Sequence, residues 1–356
     1  MGFMRMASQR RVAGAARRAS TSSLRLALEG VLGKYYGRPR RIKRLRRRIS
    51  DYSTSFKLEE LEIWLDGGER LELILKDLSW HSLLPEARDV RPRFLYDGGR
   101  EIHVYQSLLA DRGLGTARCY GAVIDSEADR YWLILERVPG AKLCHVGDFG
   151  TWKLAARWLA RLHAAFAPGI ADVDARPLLH YDAAFYQTWL NRLHSFIAGG
   201  AATHSASDLQ RLSERYARAV TRLAALHVGV IHGEFYPSNI LVPTDVVRGL
   251  CPVDWEMAAI GPGLMDLAAL CAGEWTEEQR LEMIDAYRQA ASQSGATMAP
   301  MSNLRAILAD CQLHLAIQWV CWSTNWTAPA DQARDWLNEA IRIAAETEFG
   351  TPDERG

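Results

Sequence analysis

Residues 228–256 constrain the fold more than any other part of the chain. An apolar run, Val228 to Ile231 broken only by Gly229, leads into a polar loop, His232 to Asn239. A β-type triplet follows, Ile240-Leu241-Val242, then a turn rich in Pro, Asp and Gly, then a second strand-like run that reaches Val253 and delivers Asp254. The pattern reads as strand, loop, strand, turn, strand, acid. The loop holds the carboxylate Glu234 and the amide Asn239 five residues apart, and Asp254 closes the hairpin. Phosphoryl transfer from a nucleotide needs such a set: a carboxylate to accept the acceptor hydroxyl's proton, and hard oxygen ligands for Mg²⁺.

The chain of 356 residues is long enough for two lobes, and its 48% hydrophobic and 24% charged residues are those of a soluble protein. No apolar run approaches the ~20 residues that span a bilayer, and no continuous apolar segment near the N-terminus suggests a secretory signal. The six cysteines (119, 144, 251, 271, 311 and 321) form no metal-ligand spacing. They read as reduced thiols, and the expected location is cytoplasmic. The net charge of +1 conceals an asymmetry. Residues 1–48 hold fifteen Lys/Arg and one acid, Glu29, so they carry +14, and the remainder carries −13.

Residues 1–48 therefore read as a basic, partly disordered leader. Residues 1–23 are expected to be poorly ordered, and 24–48 to be more helical, ending in the basic run Arg38 to Arg48. That run reads either as a patch for nucleic acid or anionic lipid or as a solvated charged face, and no interleaved aromatics favour the first. Residues 49–137 read as a mainly β lobe. A polar turn with Ser53, Thr54 and Ser55 precedes a strand from Phe56 to Leu65, a tight turn at Asp66-Gly67-Gly68, and a return strand ending near Lys76. Hydroxyls and backbone N–H groups of Ser53 and Ser55 can cover a phosphate, although the turn lacks glycine. A helix over 100–110 carries Glu101 on its inward side, placed either to pair with Lys76 or to complement the helix dipole. Strands at 119–124 and 131–135 end in Glu136-Arg137-Val138-Pro139-Gly140, a linker.

From 138 to about 350 the chain reads as helical, with helices near 151–167, 182–198, 207–227, 276–294, 302–324 and 330–348. His163 and His194 read as packed or surface side chains rather than ligands. Trp319, Trp322 and Trp326 share a helical spacing that suits core packing, or else a stacking wall for a ring-shaped acceptor.

The segment His232-Gly233-Glu234-Phe235-Tyr236-Pro237-Ser238-Asn239-Ile240-Leu241 resembles the catalytic loop of the aminoglycoside phosphotransferase and choline kinase family. Val253-Asp254-Trp255-Glu256, with Gly261-Pro262 and Asp266-Leu267-Ala268 after it, resembles that family's metal-binding segment. The resemblance spans roughly residues 50–345 and implies an α+β, bilobal protein-kinase-like fold, with a small antiparallel β N-lobe and a larger helical C-lobe. It implies Lys76 on the α/β-phosphates with Glu101 as partner, and the 133–138 strand and linker, with Glu136 and Val138, reading the base. It implies Asn239 and Asp254 as Mg²⁺ ligands, Glu234 as catalytic base, and His232 and Asp266 as structural anchors. The implied activity is ATP- or GTP-dependent transfer of the γ-phosphate to a hydroxyl of an aminoglycoside, sugar or amino alcohol. One departure stands out: the family has Asp where this chain has Glu234, a side chain longer by one C–C bond, about 1.5 Å. A kinase-like nucleotide-binding protein with little or no activity is the alternative that this departure and the glycine-free turn leave open.

Overall fold

The structure is a computed structural model that describes residues 19–51, 55–167, 173–199, 204–245, 247–296, 300–322 and 335–346. The chain divides into two compact units, Met1–Asp89 with Arg118–Arg137, and Val90–Ala117 with Val138–Gly356. Residues 90–117, which the sequence reading assigns to the β lobe, therefore group with the helical unit.

The first unit is built on helix α1 (Thr21–Tyr35) and strands β1 (Ile42–Ile49), β2 (Leu58–Leu65), β3 (Arg70–Asp77), β4 (Cys119–Asp125) and β5 (Arg130–Glu136), with α2 (Pro85–Val90) after β3. The strands form one antiparallel sheet in the order β1-β2-β3-β5-β4. Strand β2 alternates strictly, burying Leu61, Ile63 and Leu65 on one face. These side chains form one core with Leu71, Leu73 and Leu75 of β3 and with Leu24, Leu28, Val31 and Leu32 of α1. Each such buried aliphatic contributes about 1.5–3 kcal/mol.

Two elements correct the reading of residues 1–48 as a leader with helical character up to Arg48. The helix ends at Tyr35, and Ile42–Ile49 pairs with β2, Arg46 opposite Glu62 and Arg48 opposite Glu60. The reason is non-local. Three of the four arginines of β1 face an acidic neighbour, in the pairs Arg46–Glu62 (3.4 Å), Arg47–Glu59 (2.8 Å) and Arg48–Glu60 (2.6 Å), and Arg44 lies over Trp64. Of residues 1–23, where poor order is expected, 1–18 lie outside the described residues, as does Ser53, while α1 already begins at Thr21 with Ser20 as its cap.

The second unit opens with α3 (Arg100–His103), which runs on through a π-type turn, Val104–Leu108. After Val138 come β6 (Gly140–Lys142), α4 (Phe149–Phe166), β7 (Leu179–His180), α5 (Ala183–Ala198) and α6 (Ala206–Ala224). Next are β8 (Gly229–Ile231), β9 (Ile240–Pro243), β10 (Cys251–Pro252) and β11 (Ala259–Gly261), then α7 (Leu264–Leu270), α8 (Glu277–Gln293), α9 (Met301–Val320) and α10 (Trp336–Glu346). The short strands form two small sheets, β10-β9-β6 and β7-β11-β8. Side-chain caps start the main helices: Asp148 accepts from Gly150 N and Thr151 N, and Thr276 with Gln279 forms a capping box. Among the described residues no helix is long and apolar enough to cross a membrane, and the six cysteines are free thiols.

Candidate active site

The loop between β8 and β9 is pinned from below by one carboxylate. Asp266, fully buried in the first turn of α7, accepts from His232 N (2.7 Å) and Gly233 N (2.9 Å). Two charge-assisted bonds to adjacent backbone N–H groups set the plane of that peptide. Gly233 has φ +83°, and a Cβ there would lie 2.0 Å from the Met257 carbonyl oxygen, so only glycine fits. Behind Asp266, His163 of α4 approaches it at 3.5 Å through Nε2 and holds Tyr287 Oη with Nδ1 at 2.9 Å. His163 is thus a packed buttress, as the sequence suggests, and His194 bonds Ser213 Oγ on the surface.

His232 joins the two halves of the site. Its Nδ1 accepts from Glu234 N (3.3 Å), so its Nε2 carries the proton and donates to the Val253 carbonyl (3.1 Å). Its ring lies against Trp255 (4.4 Å between centroids) and Phe235 (5.7 Å), and Phe235 in turn stacks on Trp158 (5.5 Å).

Asn239 and Asp254 meet at one end of the β9–β10 hairpin. Pro252 pairs with Ile240, and Val253 N donates to the Asn239 carbonyl (2.9 Å), which puts Asp254 one residue from that bond. The Asn239 amide nitrogen donates to the Glu234 carbonyl (3.1 Å), which commits the nitrogen to the loop and turns Oδ1 the other way. Asp254 has left-handed backbone, φ 70° and ψ 62°, uncommon for a residue with a Cβ. Glu234, Asn239 and Asp254 are all half-buried. Among the described residues no group of three or more His, Cys, Asp or Glu is placed to hold a metal by itself. An amide oxygen and a carboxylate form a hard-oxygen pair of the kind that holds Mg²⁺ together with substrate phosphates, so the residues present fit that ion.

Three buried groups shape the same place, and the sequence reading singles out only Glu101 among them. Glu101 is 1% exposed and accepts from Trp255 N (3.3 Å), the backbone immediately after Asp254. Arg91 forms a buried ion pair with Glu256 (3.0 Å). Burial works against the Arg91 charge, but the carboxylates of Glu256, Glu234 and Asp254 outweigh it and hold the guanidinium above its ordinary value. Arg100 donates to the carbonyls of Leu95 (2.9 Å), Pro177 (2.8 Å) and Glu256 (2.6 Å), stitching three distant segments together. Burial lowers the Arg100 pKa. Nothing local marks Arg91 or Arg100, because their partners are up to 165 residues away in the chain.

Lys76 lies in the first unit, near the end of β3, opposite Leu58 and Leu133. Its position alternates with Leu75, which puts its side chain on the sheet face away from the α1 core. It is 6% exposed, with its ammonium 5.7 Å from the Phe56 ring centre. Ser55 is half-buried and its carbonyl accepts from Leu84 N (2.9 Å). Glu136 ends β5 with its carboxylate on Arg118 N (3.1 Å), and Val138 begins the second stretch of the second unit. Trp319 donates to Tyr236 Oη (2.8 Å) and stacks on Trp336 (5.3 Å), while Trp322 stacks on Trp189 (6.3 Å). Trp326 lies outside the described residues.

A loop with acid and amide, a metal-suited pair and a kinase-like order of elements define a phosphotransferase class. A family model described as the phosphotransferase enzyme family matches residues 60–304, and the chain belongs to that family. No curated protein matches the chain. Among solved structures it is similar to a choline kinase from Streptococcus pneumoniae, at 15% identity and TM-score 0.56 over 91% of this chain and 99% of that one. It is also similar to a macrolide 2'-phosphotransferase from Brachybacterium faecium, at 17% identity and TM-score 0.53 over 94% and 100%. A choline/ethanolamine kinase family protein from Mesorhizobium loti gives 15% identity and TM-score 0.53 over 87% and 89%. At these identities the likeness shows the fold, which is α+β and kinase-like.

Proposed function

We propose that the protein is a nucleotide-dependent phosphotransferase that moves the γ-phosphate of ATP or GTP to a hydroxyl of a small molecule such as a sugar, amino alcohol or aminoglycoside. The observation that supports this best is the Val253–Asn239 backbone bond, which brings the amide and the carboxylate of the proposed metal pair to one end of a hairpin. A neighbour of similar fold, at 11% identity and TM-score 0.55 over 92% of this chain and 100% of that one, was solved as a GDP and kanamycin complex, which favours a nucleotide donor.

In this reading Glu234 orients the acceptor hydroxyl and takes its proton as the new O–P bond forms. Asn239 Oδ1 and Asp254 hold Mg²⁺, which when bound offsets charge on the transferring phosphoryl group. Lys76 serves as the cation for the α/β-phosphates, and Ser53, Ser55, Glu136 and Val138 serve the nucleotide. His232 and Asp266 keep the loop rigid, so that Glu234 does not drift. Glu101 fixes the backbone after Asp254. Free thiols at all six cysteines suit a reducing compartment such as the cytoplasm.

The test is nucleotide turnover with a panel of amino sugars, sugars and amino alcohols, comparing wild type with Asp254→Ala. The expected result is acceptor-dependent turnover that falls at least 10²-fold in the variant. Equal rates would remove Asp254 from the mechanism. Nucleotide binding with no phosphate transfer to any acceptor would favour the binding-only alternative.

A further inference from the structure

The loop that carries Glu234 also borders a cavity of about 170 Å³ in the second unit, which Tyr236 lines two residues further on. Its other walls come from the end of α7, the start of α8, and α9 and α10, with Leu308, Leu315 and Trp336 as apolar surface. Tyr236 is fixed there by the Trp319 indole, which stacks on Trp336. A cavity near 150 Å³ accepts a benzene-sized ring, so this one has room for a compound of about one ring.

The charges in its lining do not balance in use. Three glutamates reach it, and each has an arginine. Glu277 pairs with Arg305 (2.6 Å), Glu339 with Arg342 (2.7 Å), and Glu346 with the same Arg342 (2.5 Å). The remaining charged group is Arg280, half-buried, which donates to a neutral carbonyl, Gly273 O (2.8 Å), and has no carboxylate partner among the described residues. Burial pushes the Cys271 thiol up to about 12 against the opposing pull of the nearby Arg280 charge. The lining charges sum to zero, because Glu339 and Glu346 share Arg342, and the guanidinium without a carboxylate on it among the described residues is that of Arg280. A cation entering would have to compete with Arg305 and Arg342 for carboxylates already bonded, while an oxyanion would gain a charge-assisted hydrogen bond from a guanidinium committed only to a carbonyl.

We propose that this cavity takes the acceptor, and that the acceptor is a small hydroxyl-bearing oxyanion, a carboxylate or a phosphate monoester of about one ring in size, held by Arg280. This rests on the phosphotransferase reading and narrows it, since a polycationic amino sugar of several rings exceeds the size and would meet the Arg280 guanidinium. The tyrosine hydroxyl and the apolar walls orient the carbon skeleton, and Arg280 selects the anionic end.

The experiment is titration calorimetry on the full chain with matched probes that share hydroxyls and differ in charge: glycerate, glycerol and 3-amino-1,2-propanediol, with glycerol 3-phosphate and kanamycin alongside. It is run without nucleotide, so that it tests the cavity apart from the reaction. An anionic probe should bind about tenfold or more tightly than the amine, and Arg280→Gln should remove that advantage while leaving the amine unchanged. The tighter of glycerate and glycerol 3-phosphate identifies the anion. Because Arg280 also supports the Gly273 carbonyl, Arg280→Lys is the control for folding. It should melt within a few degrees of wild type and keep part of the preference. Tighter binding of the amine or of kanamycin, or an anion preference that survives Arg280→Gln, would overturn the proposal. Turnover that depends on Asp254 but not on Arg280 would overturn the cavity and leave the reaction standing. Anion binding through Arg280 with no turnover would do the reverse.

Discussion

Replacing Asp266 by Asn gives the most direct measure of what holds the catalytic loop. The carboxylate accepts two backbone N–H bonds, at 2.7 and 2.9 Å, with no exposure to solvent. An asparagine keeps one oxygen acceptor and turns an NH₂ group toward the other N–H. One charge-assisted bond becomes neutral, and one buried N–H loses its acceptor. The first change costs about 1 kcal/mol and the second about 1–3, and the facing donors add to this, for roughly 3–5 kcal/mol in all. At about 2–4 °C per kcal/mol the melting temperature should fall by roughly 6–20 °C. Thermal unfolding of the full chain, followed by near-ultraviolet circular dichroism, reads this shift. In the surviving folded protein the peptide before Glu234 is no longer held. A displacement of about 1 Å at the base should lower kcat by about 10²-fold. Melting within 2 °C of wild type, together with an unchanged kcat, would refute the assignment of Asp266 as the anchor.

Two further outcomes follow from the same geometry. Gly233→Ala should unfold more easily and lose most turnover, because the new Cβ would sit 2.0 Å from Met257 O at a φ that costs about 1–2 kcal/mol even in open space; kcat and melting temperature measured together check this. His314 is fully buried against Tyr216 Oη (2.7 Å), and burial drives its pKa down to about 3, far below the ~6.5 of an unfolded chain. Between those values only the unfolded state binds the extra proton, so this part of the stability is whole above about pH 6.5 and is lost as the pH falls. From pH 6.5 to 5 the loss is about 2 kcal/mol, and His314→Gln should flatten that segment of a denaturant-melt pH series.

Much of the second unit could be read along the chain because its signals are local. The strand–loop–strand pattern of 228–256 appears as β8, the loop, β9 and β10, and the helical periods place α4, α5, α6 and α8 within a few residues of their expected bounds. The loop residues that the reading singled out do come together: Glu234 through its backbone with His232 and Asn239, and Asn239 beside Asp254. The basic segment before Ile49 misleads because arginine suits a helix face and an exposed strand equally well. Its partners Glu59, Glu60 and Glu62 decide for the strand, and no window on residues 38–48 contains them. The same limit hides Arg91 and Arg100, whose partners Glu256 and Pro177 lie far along the chain.

The amino-acid sequence by itself determined the order of elements, the family-like loop and the types of group available for chemistry. These depend on spacing, on the period of apolar residues and on side-chain functional groups, all of which are properties of neighbours in the chain. The tertiary structure alone decided which carboxylate does what. Asp266 anchors because it is buried under two N–H groups, Glu256 pairs with Arg91, and Glu101 accepts from Trp255 N. It also decided that, among the described residues lining the cavity beside Tyr236, the charge without an opposite partner is that of Arg280. A carboxylate's role is set by what is left unbonded around it, and that emerges only when distant segments are packed together.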